Sequence, residues 1–260
     1  MSASNVKTIL QDSYGFMWFG TKNGLNRYDG TSVLQLNCDD QIAGTGNHNI
    51  SALYEDKDRK LWVGTDRGIY LYDPAMDIFT HLKPESSDKI TPDNWVAEIL
   101  ADSTGNIWAL IPDQGLFRFN GTDKVSHYPI TDKSNLKNES PECIAVNKKG
   151  EVWVGTSGVG LYKYNQDKDS FEQYLTDCNG KSLINKNIMS ICFQNDDIIL
   201  AIHEGELLKY NTHTRQFTNI PFPGERQTFL RDIVCFGDEL WVGSHHGLFI
   251  INEKKNSMLH

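Results

Sequence analysis

The chain has 260 residues, of which 39% are apolar and 23% are charged, a balance typical of globular proteins and not of disordered or membrane-spanning ones. Its 25 Lys and Arg against 34 Asp and Glu give a formal net charge of −9. Because nucleic acids and anionic membranes bind basic surfaces, this charge argues against both as partners. No apolar run is long enough for a membrane helix, and the first residues lack the pattern of a signal peptide.

The sequence is built from a repeated segment that carries a tryptophan at one fixed place, with Leu200 as the substitute in the fifth copy. Successive copies of this position lie 41 to 47 residues apart: Trp18, Trp62, Trp108, Trp153, Leu200 and Trp241. Six units therefore cover almost the whole chain. A fixed period of this length is typical of a repeat architecture.

Each unit reads as four short strands in chain order. In the second unit these are residues 50–56 (ISALYED), LWVGT around Trp62, IYLYD after the turn at Gly68, and IFTHL after a turn at 74–77. Alternating or apolar runs punctuated by Gly, Asp, Asn and Pro are typical of antiparallel β-structure. No apolar period of 3.6 residues persists over three turns, so little helix is expected.

Four antiparallel strands per unit, repeated six times, predict an all-β fold, a β-propeller with six visible four-stranded blades. We expect one domain over 1–260, with blades at about 5–37, 49–83, 95–129, 142–175, 187–220 and 229–260. Every tryptophan from Trp18 to Trp241 is expected to be buried between blades. The glycine two residues after it, as at Gly64, lets neighbouring backbones approach, and Gly68 is expected to have a positive φ.

Residues 9–30, ILQDSYGFMWFGTKNGLNRYDG, resemble the repeat of the two-component regulator propellers, and the second and fourth units repeat the pattern. Those propellers are periplasmic sensor regions of hybrid two-component systems in Bacteroidetes. The resemblance implies most of a seven-bladed propeller, cut from a longer sensor whose histidine kinase, membrane helix and signal peptide lie elsewhere. It also implies the sensor's remaining domains as partners, a homodimer of the full-length protein, and no membrane contact by this segment.

The five cysteines are odd in number and widely spaced, and no CxxC motif occurs. This pattern argues against a disulfide framework or a zinc site, so buried free thiols are expected. No motif of a hydrolase or a metalloenzyme is present, and adjacent histidines such as His245 and His246 chelate poorly. The prediction is therefore a protein without catalysis, metal or cofactor. A propeller enzyme, such as a lyase or glycosidase, and a protein-binding scaffold remain the alternatives.

A ligand is expected on the face that carries the turn between the second and third strands of each blade, where long interblade loops can enclose it. Aromatic and polar groups together suit an oligosaccharide, because a ring stacks on the sugar while polar groups bond to its hydroxyls. Arg67, Lys186 and Arg231 could pair with a sulfate or uronate. The predicted ligand-binding residues are Asp66, Arg67, Trp95, Lys186, His203, Glu204, Arg231, His245 and His246.

Overall fold

The structure, a computed structural model, describes residues 3–36, 49–84, 89–129, 140–175, 177–178, 181–222, 228–252 and 257–259. The regular elements of these residues are all β-strands, as the sequence predicted. Within the same ranges no helix has the length and apolar character needed to cross a membrane. The predicted interblade loops 37–49 and 131–142 lie almost wholly outside the described residues.

The chain divides into two compact units, 1–129 and 130–260. The first contains three four-stranded antiparallel sheets, in each of which every strand pairs with the next along the chain. The strands are β1 (Val6–Gln11), β2 (Met17–Thr21), β3 (Gly24–Tyr28), β4 (Val33–Leu36), β5 (Ile50–Glu55), β6 (Leu61–Thr65), β7 (Gly68–Asp73), β8 (Ile78–Leu82), β9 (Glu98–Ala101), β10 (Ile107–Ile111), β11 (Gly115–Asn120) and β12 (Lys124–Tyr128).

The second unit continues the same meander through the fourth, fifth and sixth repeats. Its strands are β13 (Pro141–Val146), β14 (Val152–Val159), β15 (Leu161–Asn165), β16 (Ser170–Leu175), β17 (Asp177–Cys178), β18 (Lys181–Ser182), β19 (Ile184–Gln194), β20 (Asp197–Ile202), β21 (Glu206–Asn211), β22 (Gln216–Ile220), β23 (Leu230–Phe236), β24 (Glu239–Ser244), β25 (Gly247–Asn252) and β26 (Ser257–Leu259).

Pairing between β14 and β19 joins the fourth and fifth repeats into one eight-stranded sheet. Strands β23 to β26 form a separate four-stranded sheet, and β17 and β18 form a small two-stranded one. The described residues thus form four separate four-stranded sheets, one joined sheet of eight strands and the small two-stranded sheet. The predicted blade number, six within a ring of seven, and the predicted single domain both stay predictions.

The core of the first unit lies between sheets that pack face to face. Val63 and Tyr70 of the second sheet pack towards Trp18 of the first, whereas Trp62 and Ile69 pack towards the third. Strand β6 is buried along its whole length because both of its faces are covered. The alternation of side chains along a strand therefore assigns each residue to one neighbouring sheet.

The tryptophans mark these interfaces. The Trp18 ring meets Tyr72 of the next sheet at 5.6 Å between centroids, and Trp62 meets Phe119 at 5.2 Å, both edge to face. Trp108 and Trp153 are buried too. The prediction is wrong for Trp241, which is 37% exposed. Burial of this position needs a following sheet, and none covers this face of the last sheet among the described residues.

A single aspartate organises the turn between the first and second strands in the first three repeats. Its Oδ1 accepts two backbone N–H groups of the turn, for example those of Thr104 and Asn106 on Asp102 at 2.9 and 3.0 Å. Its Oδ2 accepts the indole N–H of the tryptophan six residues later. The three indole bonds are Trp18 to Asp12 at 2.7 Å, Trp62 to Asp56 at 2.9 Å and Trp108 to Asp102 at 2.9 Å.

The fourth repeat departs from this arrangement because Asn147 stands in place of the aspartate. Its Oδ1 still accepts the turn N–H groups of Lys149 and Glu151, both at 3.0 Å. Its amide nitrogen donates to Glu151 and cannot accept from an indole. The buried Nε1 of Trp153 is accordingly left without a hydrogen-bond partner.

The expectation that the cysteines are free thiols is wrong for two of them. Cys192 of β19 and Cys235 of β23 form a disulfide, with 5.8 Å between their Cα atoms. Both lie on the first strand of their repeat. Cys192 pairs across the sheet with Ile199 and Cys235 pairs with Leu240, and each of these partners directly precedes the tryptophan position of its repeat. Their separation of 43 residues is one repeat, which places them on adjacent first strands. Cys143 is a buried thiol that donates a hydrogen bond to the Ile188 carbonyl oxygen at 3.4 Å, and Cys38 lies outside the described residues.

Asp102→Asn should lower the free energy of unfolding by about 1–2 kcal/mol at neutral pH, because a hydrogen bond from a buried indole loses its charged acceptor. Burial raises the pKa of Asp102, but the hydrogen bonds from Thr104, Trp108 and Asn106 outweigh it and hold the pKa below 3.8. The stabilisation is therefore complete above that pH and is lost as the pH falls through the folded-state pKa.

The measurement is urea unfolding of the wild type and of Asp102→Asn between pH 7 and pH 3. The difference between the two proteins should narrow towards the acid end. Asp113→Asn, at an exposed aspartate of the same sheet, is the control and should match the wild type. A difference that stays constant with pH would contradict the role given to the Asp102 carboxylate.

Loss of the disulfide through Cys192→Ser with Cys235→Ser should lower the free energy of unfolding by roughly 4 kcal/mol, because the unfolded chain regains the freedom of a loop of about one repeat. Thermal unfolding with and without a reductant measures it. The reductant should lower the melting temperature of the wild type and leave that of the double variant unchanged. Equal melting temperatures of wild type and variant under oxidising conditions would show that the bond is not formed.

Candidate functional site

Each sheet has two ends with different construction. At one, which we call the aspartate end, lie the turns organised by Asp12, Asp56 and Asp102. At the other, the inter-sheet end, the turn between the second and third strands meets the segment that leads into the next sheet. The predicted ligand-binding residues belong to the inter-sheet end, and they fall into two groups, one in each compact unit.

In the first unit, the backbone ties the leading segment of the third sheet to the β6–β7 turn. Gly68 N–H donates to Asn94 at 3.0 Å and Val96 N–H donates to Thr65 at 2.9 Å. Gly68 has the expected positive φ of 96°, and a Cβ there would lie 2.6 Å from the carbonyl oxygen of Pro92. This close approach sets Trp95 beside the turn.

Asp66 and Arg67 at the tip of this turn are exposed, as is Trp95, at 45% of its surface. The structure therefore brings these three predicted residues to one small area. The indole of Trp95 offers an apolar face, and a carboxylate and a guanidinium stand beside it. Such a set can stack on one ligand surface and hydrogen-bond to another.

A histidine beneath this turn escaped the sequence analysis. His81 of β8 stacks on its cross-strand partner Tyr70 at 4.3 Å between centroids, and its Nε2 lies 3.0 Å from the Arg67 carbonyl oxygen. The third sheet repeats the device: His127 stacks on Phe117, and its Nε2 lies 2.6 Å from the Gln114 carbonyl oxygen. An aromatic residue paired with a histidine on the fourth strand is the signal that could have revealed it.

In the second unit the corresponding segments frame an aromatic group, which we call the His203 cluster: His203, Phe229 and His245. The His203 ring stacks on Phe229 at 4.8 Å, and Phe229 meets His245 edge to face at 5.5 Å. The backbone fixes this geometry, because Leu230 N–H donates to His203 and His245 N–H donates to Phe229, both at 3.1 Å. The Nδ1 atom of His203 is buried and has no hydrogen-bond partner.

The charged residues around the cluster are partly paired already. Lys186 forms an ion pair with Glu206, and Asn187 donates to Glu204 at 3.4 Å. Ser157 of the fourth repeat in turn donates to Asn187 at 2.7 Å. An anionic ligand at Lys186 would therefore compete with Glu206. The Lys186–Glu206 ion pair is partly exposed, and ion pairs of this kind contribute little to stability.

Arg231 and His246 are exposed and are close in sequence to members of the cluster. Arg231 lies at the start of β23, two residues after Phe229, and His246 follows His245 in the β24–β25 turn. The turn itself is shaped by Ser244, whose Oγ accepts from the His246 N–H at 3.1 Å. Among the described residues no group of three or more metal-ligating side chains comes together. The assignment of all nine predicted residues to ligand binding stays a prediction.

The family model described as "Two component regulator propeller" matches residues 1–23 and 44–67. These two segments are therefore similar to two-component regulator propeller repeats. A comparison with curated proteins found no match.

Three solved structures show the same fold. The extracellular domain of the putative hybrid two component system BT4673 from B. thetaiotaomicron is 23% identical, with a TM-score of 0.77 over 98% of this chain and 36% of that one. That of BT3049 from the same organism is 22% identical, with a TM-score of 0.76 over 98% and 34%. PorZ of Porphyromonas gingivalis, a component of the type-IX secretion system, is 16% identical, with a TM-score of 0.72 over 95% and 38%.

The chain spans little more than a third of the length of each of these proteins. The fold is an all-β propeller built from antiparallel four-stranded blades, as the sequence predicted. The regulator-propeller repeats agree with the resemblance drawn from residues 9–30.

Phe229→Leu should move the imidazole C–H resonances of His203 downfield, because the stacked aromatic ring that shields them is removed. The measurement is a proton–carbon correlation spectrum of the histidine side chains. Phe222→Leu is the matched control, since that ring packs on Phe249. Unchanged His203 shifts in Phe229→Leu would contradict the stacked cluster.

Proposed function

We propose that this chain is a non-catalytic ligand-sensing part of the periplasmic region of a hybrid two-component signalling protein. The observation that carries the proposal is the presence of regulator-propeller repeats in a fold similar to extracellular domains of Bacteroides hybrid two-component systems. The disulfide between Cys192 and Cys235 supports an oxidising compartment such as the periplasm, since such bonds rarely persist in a reducing cytoplasm. The parent protein then supplies the membrane helix and the histidine kinase.

The ligand that fits the inter-sheet end best is an oligosaccharide derived from a glycan. In the part of the chain that the structure describes, two aromatic groups there are open to a ligand: Trp95 in the first unit and Phe229 with His203 in the second. Each has polar neighbours that can bond to sugar hydroxyls, such as Arg67 beside Trp95 and Glu204 beyond His203. Arg231, exposed next to the second group, could pair with a sulfate or a uronate.

A sensor of this kind works by differential binding. The ligand must bind one arrangement of the paired ectodomains more tightly than the other, and the signal passes through the remaining domains of the sensor, here taken as a homodimer. A rigid set of sheets suits this task, because a ligand held by two turns moves the platform as a whole. The function requires no acid–base pair, and the carboxylates of the aspartate end are occupied by backbone and indole donors.

Calorimetry with neutral, sulfated and uronate-containing oligosaccharides tests the proposal. We expect binding that Trp95→Ala or Phe229→Ala weakens about fivefold or more, because a stacked ring contributes roughly 1 kcal/mol or more. The variant that loses affinity identifies the unit that binds. Tyr14→Ala, at an exposed ring of the aspartate end, is the control and should bind normally. Affinity unchanged in both test variants would exclude these groups, and oligosaccharide cleavage abolished by Glu204→Gln would show an enzyme instead.

A further inference from the structure

The junction of the fourth and fifth repeats departs from the pattern of the rest of the described chain. Strand β14 pairs with β19, and in the part of the chain that the structure describes no other sheet joins two repeats. The register pairs Ser157 with Asn187 and Val159 with Ile184, which leaves two residues of β19 opposite one of β14. The junction therefore contains a β-bulge, a feature that re-aims side chains and is frequent beside functional sites.

The bulge sets the position of Lys186. Asn185, the residue before it, has a φ of 62°, in the left-handed region that residues other than glycine rarely adopt. The Lys186 N–H donates to the Leu183 carbonyl oxygen at 3.2 Å, which holds the backbone of the bulge in place. The Lys186 side chain forms an ion pair with Glu206, and each of the two side chains is 31% exposed. A ligand can therefore reach both charges.

Glu206 stands where other repeats have a glycine. A glycine with a φ between 96° and 118° opens the third strand of four repeats, at Gly24, Gly68, Gly115 and Gly247. A Cβ at Gly68 or Gly115 would lie 2.6 or 2.5 Å from a backbone carbonyl oxygen, so no side chain fits there. In the fifth repeat the glycine with a positive φ is Gly205, and the third strand opens with Glu206. The fifth repeat thus places a carboxylate at a position that is closed to side chains in the second and third repeats.

These two departures meet in one ion pair, because the bulge supplies Lys186 and the displaced glycine admits Glu206. Asn187 extends the group, since it accepts from the Ser157 hydroxyl at 2.7 Å and donates to the exposed Glu204 at 3.4 Å. We call these five residues the junction group. Convergent departures from a local pattern are expected at functional sites.

The charge of the junction group restricts the ligands that it can bind. One lysine against two glutamates gives it a formal charge of −1. A purely anionic ligand could take Lys186 only by displacing Glu206, and it would then lie beside two carboxylates, an unfavourable contact between like charges. A purely cationic ligand that took Glu206 would leave Lys186 unpaired. A ligand with both charges exchanges the internal ion pair for two new ones and leaves neither side chain unpaired.

We propose that the junction group is a binding subsite for a ligand that carries a primary ammonium and an acidic group side by side. The ammonium binds Glu206 and Glu204, and the acidic group binds Lys186. A narrower statement rests on the proposed sensing of oligosaccharides: the ligand is an amino sugar with a free amine, linked to a uronate. The recognition of the two charges does not depend on that function.

A probe without a sugar tests the recognition of the charges by itself. Proton–nitrogen NMR follows the Lys186 ammonium resonance, assigned from Lys186→Met, during titration with β-alanine, acetate or ethylammonium at constant ionic strength. β-Alanine should shift this resonance in a saturable manner, at a concentration about threefold or more below that needed for either of the others. Glu206→Gln should remove the preference for β-alanine over acetate, because the ammonium of β-alanine loses its partner.

A matched pair of disaccharides tests the narrower statement. Calorimetry compares an amino sugar linked to a uronate with the same disaccharide after N-acetylation, which removes the positive charge. The wild type should prefer the free amine by about threefold or more, and Glu206→Gln should bind the two equally. Lys168→Met is the control, because it breaks an exposed lysine–glutamate pair of the same unit, and it should keep the preference.

The outcomes separate the subsite from the proposed function. Oligosaccharides that bind through Trp95 or Phe229 without preference for the free amine would leave the sensing function intact and overturn the narrower statement. A preference for β-alanine at Lys186 without any binding of oligosaccharides would support the subsite and count against the sensing of oligosaccharides. Equal responses of Lys186 to β-alanine and acetate, or a preference that persists in Glu206→Gln, overturn the subsite.

Discussion

The hydrogen bond from a tryptophan indole to the aspartate of the preceding turn is the interaction on which each of the first three repeats depends. A buried indole N–H without a partner is costly, so an acceptor that comes with the ring stabilises its burial between sheets. Asp102 supplies that acceptor and at the same time folds the turn from which it projects. The turn, the ring and the interface are therefore fixed by one side chain.

This arrangement gives the two ends of each sheet different roles. At the aspartate end the turn carboxylates are used by their own backbone and by the indole, so little of their hydrogen-bonding capacity remains for a ligand. At the inter-sheet end the backbone of the leading segment bonds to the turn, as Gly68 does to Asn94, and the side chains at the tip point outwards. Exposed polar side chains thus gather where Trp95 and Phe229 are exposed.

Much of the fold could be predicted from the sequence because its signals are local and repeated. Strand alternation, the tryptophan register and the positive φ of Gly68 all follow from a few residues in each unit. Features that depend on a neighbour could not be predicted in this way. The exposure of Trp241 reflects a face that no described sheet covers, and the ion pair of Lys186 with Glu206 depends on side-chain geometry. The disulfide had a readable signal, since 43 residues is one repeat, but counting cysteines without reference to the period concealed it.

The imperfect repeats show which parts of the unit are interchangeable. Asn147 keeps the turn and loses the indole acceptor, yet Trp153 remains buried and Lys163 lies over its ring at 5.1 Å. In the fifth repeat Leu200 removes the indole altogether and so removes the need for an acceptor, and a disulfide joins that repeat to the next. Packing against the neighbouring sheet is thus the constant requirement, and the hydrogen bond lowers the cost of burying an indole there. A repeat that packs through a residue other than tryptophan does not need the aspartate. The sequence motif can therefore be lost in such a repeat while its four-stranded fold is kept.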